Sequence, residues 1–167
     1  SGSYNSACAA KQIYESENEG KRVLVIDTLS TGPEIDLAIE KVEELVEAGM
    51  PYEEICKSIT QYIKRTGLLF MLKSLKSLAN NGRVSPIAAK LVGIVGIGVV
   101  GKASNEGTLE QMHKCRGERR ALETIVTDLE AEGFRSGKIS IGHCRNESAA
   151  LQLKELILSK FKNAMIE

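Results

Sequence analysis

Residues 96 to 101 read GIGVVG, which taken literally is G-x-G-x-x-G, the glycine spacing of a dinucleotide-binding turn. That chemistry needs a strand before the glycines and a helix directly after them, so that amides at the helix N-terminus face a pyrophosphate. The residues that follow, KASNEGT, read instead as a turn before another strand. The simpler expectation is a close-packed helix end at Gly93 and Gly96 passing into a strand, IGVVGKA, with a turn at Asn105 to Gly107. Its glycines then serve close backbone approach, to a neighbouring element or to a bound ligand.

Other groups capable of chemistry are sparse. The opening SGSYNSA offers hydroxyls and free backbone amides at the positive end of a helix, which suits a carboxylate or phosphate and equally an ordinary N-cap. Lys114, Arg116, Arg119 and Arg120 form a basic cluster that could hold an anion or simply stand in solvent. His113 and His143 lie thirty residues apart with no carboxylate at a telling spacing, so they read as structural. No serine stands in a nucleophile elbow, and no catalytic residue is assigned. Cys8, Cys56, Cys115 and Cys144 are scattered without a C-x-x-C and read as reduced thiols in or near the core, with no metal site and no cofactor.

Composition limits the partners. With 167 residues, 43% hydrophobic and 26% charged, the chain can bury a core as one domain or two small ones. Acidic and basic residues balance at 22 each, leaving no global field to draw it onto nucleic acid or an anionic membrane. The longest apolar runs, such as Leu91 to Val100, are too short and glycine-rich to cross a bilayer, and no signal peptide is legible. A cytoplasmic location without stable membrane insertion is expected.

The elements that must position these groups follow from periodicity and punctuation. A helix is expected from Tyr4 to Glu15, then a strand at Arg22 to Asp27 (RVLVID), whose continuous apolar run suits a parallel sheet buried on both faces. Pro33 opens a helix with Ile35, Ala38, Ile39, Val42, Leu45 and Val46 at the 3.6 period, closed by Gly49. Pro51 begins another, with Glu53 and Glu54 facing its dipole and Ile55, Ile59, Tyr62 and Ile63 inward. Leu68 to Leu72 reads as a strand, Ser74 to Ala79 as a short helix, and Ser85-Pro86 opens a small-residue helix. TLEQMHKCRG alternates as an antiparallel strand, and ERRALETIVTDLEAEG is a helix with Leu122, Ile125, Val126 and Leu129 inward. KISIGHC alternates again, and Asn146 caps a last helix with Ala150, Leu153, Ile157 and Phe161 inside. The expected class is α/β: a partial parallel-sheet α/β domain over residues 1–66, then a mixed-sheet α+β domain over 67–167 with helices packed on the sheet.

SGSYNSA, then VIDTLSTGPE, an amphipathic helix, GMPYEEI, LKSLANNGRVS and EGTLEQMHKCRG occur in an order and spacing that resemble the DegV family of bacterial fatty-acid-binding proteins, over Ser1 to Phe161. The resemblance implies two α/β domains closed around one long-chain fatty acid, and a carrier, not an enzyme, that presents the acyl carboxylate to a fatty acid kinase. It implies Ser1 and Gly2 as head-group contacts with Ser3 close by. Arg83 and Arg116 resemble recurrent basic positions of the family that steer the carboxylate or meet the kinase. Ala89, Val92, Gly93, Ile94, Gly96 and Ile97 would then line the acyl tail. Family members are longer at both ends, so the chain reads as a fragment missing part of the head-group site, expected to retain lipid weakly and to risk self-pairing at uncovered strand edges. The competing expectation is a nucleotide- or phosphate-binding enzyme that uses the glycine stretch 93–101 and the basic cluster 114–120.

Overall fold

The computed structural model describes residues 2–74 and 97–167. Three helices come first: α1 (Gly2–Glu17), α2 (Pro33–Glu47) and α3 (Tyr52–Ile63). Strands β1 (Leu69–Leu72), β2 (Ile97–Ala103) and β3 (Leu109–Arg116) follow, then α4 (Glu118–Ala131), β4 (Gly137–Ile139), α5 (Glu147–Lys160) and β5 (Ala164–Ile166). The two helices expected between Ser74 and Leu91 lie outside the described residues.

Punctuation explains most of these boundaries. Pro33 sits in the first turn of α2 with Glu34 and Asp36 beside it, which suits both the missing amide of proline and the positive helix end. Pro51 likewise precedes α3, and Glu53 and Glu54 lie in its first turn. The α2 helix packs on α3, with Ala38 and Leu45 of one and Ile59 of the other buried.

The sheet β1-β2-β3 is antiparallel throughout, with β2 central. Across β2 and β3 the register slips between Val100 and Gly101, so the simple alternation along TLEQMHK is interrupted by a bulge. The α4 helix lies over this sheet, where Val100, Cys115, Ala121 and Ile125 form one buried cluster flanked by Leu69 and Met71. A second cluster joins Val126 of α4, Ile157 of α5 and Phe161, with Phe134 set edge-on to Phe161 at 5.2 Å between ring centroids. Beside it β4 and β5 pair in parallel, extended by Ile141 N–H to the Glu167 carbonyl at 3.0 Å.

The chain therefore has an α/β fold, with corrections inside it. RVLVID forms no strand, since among the described residues no strand lies alongside to complete a ladder. Side chains of α1 take its backbone groups instead: Val23 N–H donates to Glu15 Oε1 at 2.8 Å, and Lys11 Nζ donates to the Val23 carbonyl. The strand expected over KISIGHC stops at Ile139. Asn146 stands at the N-cap of α5 but makes no side-chain cap, since its amide donates to Glu118 Oε2 at 2.9 Å. In α5, Ala149 is buried and the expected Ala150 is half-buried.

Candidate functional site

A cleft of about 2070 Å³ runs between α2 with its leading loop and the β1–β3 sheet, α4 and the β4–α5 stretch. Its volume exceeds the roughly 300–1,000 Å³ of a typical small-molecule site. Leu69, Phe70 and Met71 of β1, Leu122 and Ile125 of α4, and Ile157 of α5 give it an apolar floor. The apolar run of β1 and the inward stripes of α4 and α5 supply these residues, and both were legible in the sequence.

One wall is the loop Asp27–Gly32, which carries three hydroxyls: Thr28, Ser30 and Thr31. Asp27 Oδ1 accepts the Leu29 N–H at 3.3 Å, and Thr28 Oγ1 accepts the Ser30 N–H at 3.4 Å, so the loop folds on its own side chains. Ser30 Oγ is buried and finds no hydrogen-bond partner among the described residues. Glu34 at the start of α2 is buried too, and it accepts the Thr66 hydroxyl at 2.6 Å.

Three of the lysines around the cleft are matched by carboxylates. Lys73 pairs with Glu118 at 2.6 Å; this contact, then the Asn146 amide, holds the Glu118 carboxyl below the usual range. Lys102 pairs with Glu132 at 2.8 Å, and that hydrogen bond raises the lysine above its ordinary value. Lys138 is raised likewise, chiefly by its hydrogen bond to Glu40. The interior thus keeps an apolar character while its rim stays charged.

The residues singled out from the sequence fall in several places. Gly2 and Ser3 form the first turn of α1, exposed, and are not on the wall of this cleft. Ile97 and Arg116 are brought together as register partners of β2 and β3, with Arg116 exposed. Ser1, Arg83, Ala89, Val92, Gly93, Ile94 and Gly96 lie outside the described residues. Arg119 and Arg120 of the basic cluster pair with Glu123 at 3.1 and 3.7 Å.

From Ile97 onward the glycine stretch is strand interior followed by a turn, so no helix N-terminus faces it. A Cβ on Gly101 would overlap the Glu110 carbonyl and the Phe70 ring, whereas one on Gly98 would meet Ala121 Cβ at an ordinary 3.7 Å. Close approach of the neighbouring strand and ring accounts for Gly101, whereas Gly98 has room for a methyl group.

Two features escaped sequence reasoning. The hydroxyl loop was legible as DTLST but carried no weight on its own. His113 does meet a carboxylate: its Nε2 lies 3.0 Å from Oδ1 of Asp128, which is only 6% exposed and whose Oδ2 has no partner among the described residues. The signal was an aspartate on the inward face of α4, between Ile125 and Leu129. Of the cysteines, Cys115 is buried, Cys8 and Cys56 are half-buried, and Cys144 is exposed on the cleft wall; all four are free. Among the described residues no helix is long and apolar enough to cross a membrane.

Comparison with known proteins places this geometry in context. The family model described as "Uncharacterised protein, DegV family" matches residues 1–167. A DegV domain-containing protein of Streptococcus pyogenes serotype M1 is 40% identical over 167 residues, which is 100% of this chain and 60% of that protein. The crystal structure of the Streptococcus pneumoniae Fatty Acid Kinase (Fak) B3 protein loaded with linoleic acid superposes with a TM-score of 0.96 at 40% identity, over 100% of this chain and 59% of that one. A structure from Eubacterium eligens loaded with heptadecanoic acid gives 0.94 at 39% identity, over 99% and 61%. The chain thus spans about 60% of the length of these relatives.

Proposed function

The chain belongs to the DegV family, and from that premise we propose that it is the greater part of a carrier for one long-chain fatty acid, which presents the acyl carboxylate to a fatty acid kinase and performs no catalysis itself. The observation that carries this reading is the cleft: an apolar floor built by β1, α4 and α5, walled by the hydroxyls of Thr28, Ser30 and Thr31. An acyl chain needs a dry apolar bed, and burying each methylene contributes about 0.8 kcal/mol, so a dozen supply on the order of 10 kcal/mol before ordering costs. The fatty acids in the two related structures support the same ligand class.

In this reading Gly2 and Ser3 in the first turn of α1, with Ser1 preceding them in sequence, contact a head group that reaches beyond the cleft wall. Ala89, Val92, Gly93, Ile94, Gly96 and Ile97 line the tail, and Arg83 and Arg116 steer the carboxylate or meet the kinase. Arg116 is exposed and makes no ion pair among the described residues, which leaves it available for that role. In this reading the protein is cytoplasmic and does not insert stably in membranes, and its balanced charge supplies no global attraction to nucleic acid. No feature of the described glycine strand favours a nucleotide.

Organic extraction of the purified full-length protein, followed by mass spectrometry, tests the proposal. A stoichiometric acyl chain is expected. Absence of one, together with a rise in melting temperature on adding nucleotide, would overturn it.

A further inference from the structure

Between α3 and β1 the chain runs from one wall of the cleft to its floor through Lys64 to Leu68. Thr66 is tied to the first wall, since its hydroxyl reaches the buried Glu34 at 2.6 Å and its amide reaches the Ile63 carbonyl at 3.3 Å. Leu68 is tied to the other side, where its carbonyl accepts the Ala103 N–H at the end of β2 at 3.0 Å. Gly67, between these anchors, is exposed, and a side chain there would meet nothing within 4 Å. One unencumbered residue separates two fixed ones, which is how a hinge is built.

Away from this crossing, three contacts between the α2 side and the rest can be traced among the described residues. Leu29, held at φ 52°, lies against Gly107 in the β2–β3 turn, where an added Cβ would come within 3.4 Å of Leu29 Cδ2. Pro33 packs on Gly142 so closely that a Cβ there would sit 2.8 Å from Pro33 Cγ. Lys138 of β4 pairs with Glu40 of α2 and lies 3.5 Å from Glu167 just beyond β5. Two contacts are small apolar footprints, and the third is an ion pair whose side chains are 32% and 33% exposed. Contacts of this kind hold a closed state without locking it, because a partly exposed pair is salt-sensitive and individually weak.

We propose that residues 2–66 and 67–167 are two lobes hinged at Gly67 and clasped by Lys138 on Glu40, and that ligand enters and leaves when this clasp opens the cleft. The ligand in question rests on the fatty-acid reading; the hinge and clasp do not.

Two measurements on the full-length protein test it. The first is stopped-flow release of a fluorescent fatty acid, cis-parinaric acid. Lys138→Met and Glu40→Gln should each speed release about two- to fivefold at low salt, and high salt should speed the wild type by a similar factor while leaving the variants unchanged. The charge-swapped double variant Glu40→Lys with Lys138→Glu, made together with Glu167→Gln so that the new carboxylate does not face another, should return release toward the rate of Glu167→Gln alone, which a misfolded protein would not do. The second is the distance distribution between spin labels placed on α3 at Lys57 and on α4 at Thr127, read without ligand: it should broaden in Glu40→Gln and narrow again in the swap. Failure of the probe to bind wild type counts against the fatty-acid reading, and the spin-label distances then decide the hinge alone. Release rates and distances both unmoved by the single variants would overturn the clasp.

Discussion

Substituting the two described glycines of GIGVVG one at a time separates a packing role from a ligand role. In Gly101→Ala the new methyl would overlap the Glu110 carbonyl and the Phe70 ring. The carbonyl belongs to β3 and is fixed by the ladder in which Lys102 faces Glu110, and Gly101 borders the bulge, so neither strand can yield freely. The ring can swing away, but it then gives up its seat on the cleft floor. Overpacking of this kind costs about 1–3 kcal/mol, and with backbone as one partner the upper half of that range applies. In Gly98→Ala the methyl makes an ordinary contact with Ala121 at 3.7 Å. Its effect then comes from the unfolded chain, which loses freedom, for a gain of about 0.4–1 kcal/mol where the backbone accepts alanine. Urea unfolding read by circular dichroism should therefore place the two variants on opposite sides of wild type. By melting temperature, Gly101→Ala should fall several degrees, at about 2–4 °C per kcal/mol for a domain of this size. Equal losses in both variants, or a Gly101→Ala midpoint within about 0.5 kcal/mol of wild type, would refute the packing argument.

Two further outcomes follow from single contacts. His113→Ala strips the hydrogen-bond partner from a buried carboxylate; leaving a buried acceptor unsatisfied costs about 1–3 kcal/mol, so a loss of about 2 kcal/mol is expected. Asp128→Asn, which removes the charge but keeps an acceptor, should lose less; a His113→Ala protein as stable as wild type in urea would show that the pair does not hold α4 to β3. Glu118 is held below the usual carboxylate range by Lys73 and then Asn146, so its contribution is present above about pH 4.3 and is lost as pH falls through the folded-state value. Glu118→Gln should accordingly lower the urea midpoint at pH 7 and converge on wild type as the pH falls below the ordinary carboxylate range; a gap that persists unchanged in acid would contradict this sign.

Much of the architecture is local and so was readable from the chain. The prolines at 33 and 51, the glycines at 49 and 133 and the helical stripes of α2, α3 and α4 mark boundaries within a residue or two of those observed. The strand IGVVGKA matches β2 end to end. What failed depended on partners distant in sequence. RVLVID has the composition of a buried strand, but a strand exists only beside another, and the nearest acceptors and donors belong to Lys11 and Glu15 of α1. KISIGHC alternates over seven residues, yet in the ladder only Lys138 and Ile139 of it pair, with Met165 and Ile166 of β5. The cleft was harder still, because its floor and walls come from five separated stretches, and DTLST gains meaning only once β1 and α4 stand opposite it. His113 and Asp128 lie fifteen residues apart on two elements, a separation no spacing rule flags.

The thiol of Cys144 stands exposed on the wall of the cleft while Cys115 is sealed beneath α4. Because modification follows access to the thiolate, this position accepts a small fluorophore without mutagenesis, provided the half-buried Cys8 and Cys56 react more slowly. The molecule thus carries its own attachment point for an optical reporter of cleft occupancy.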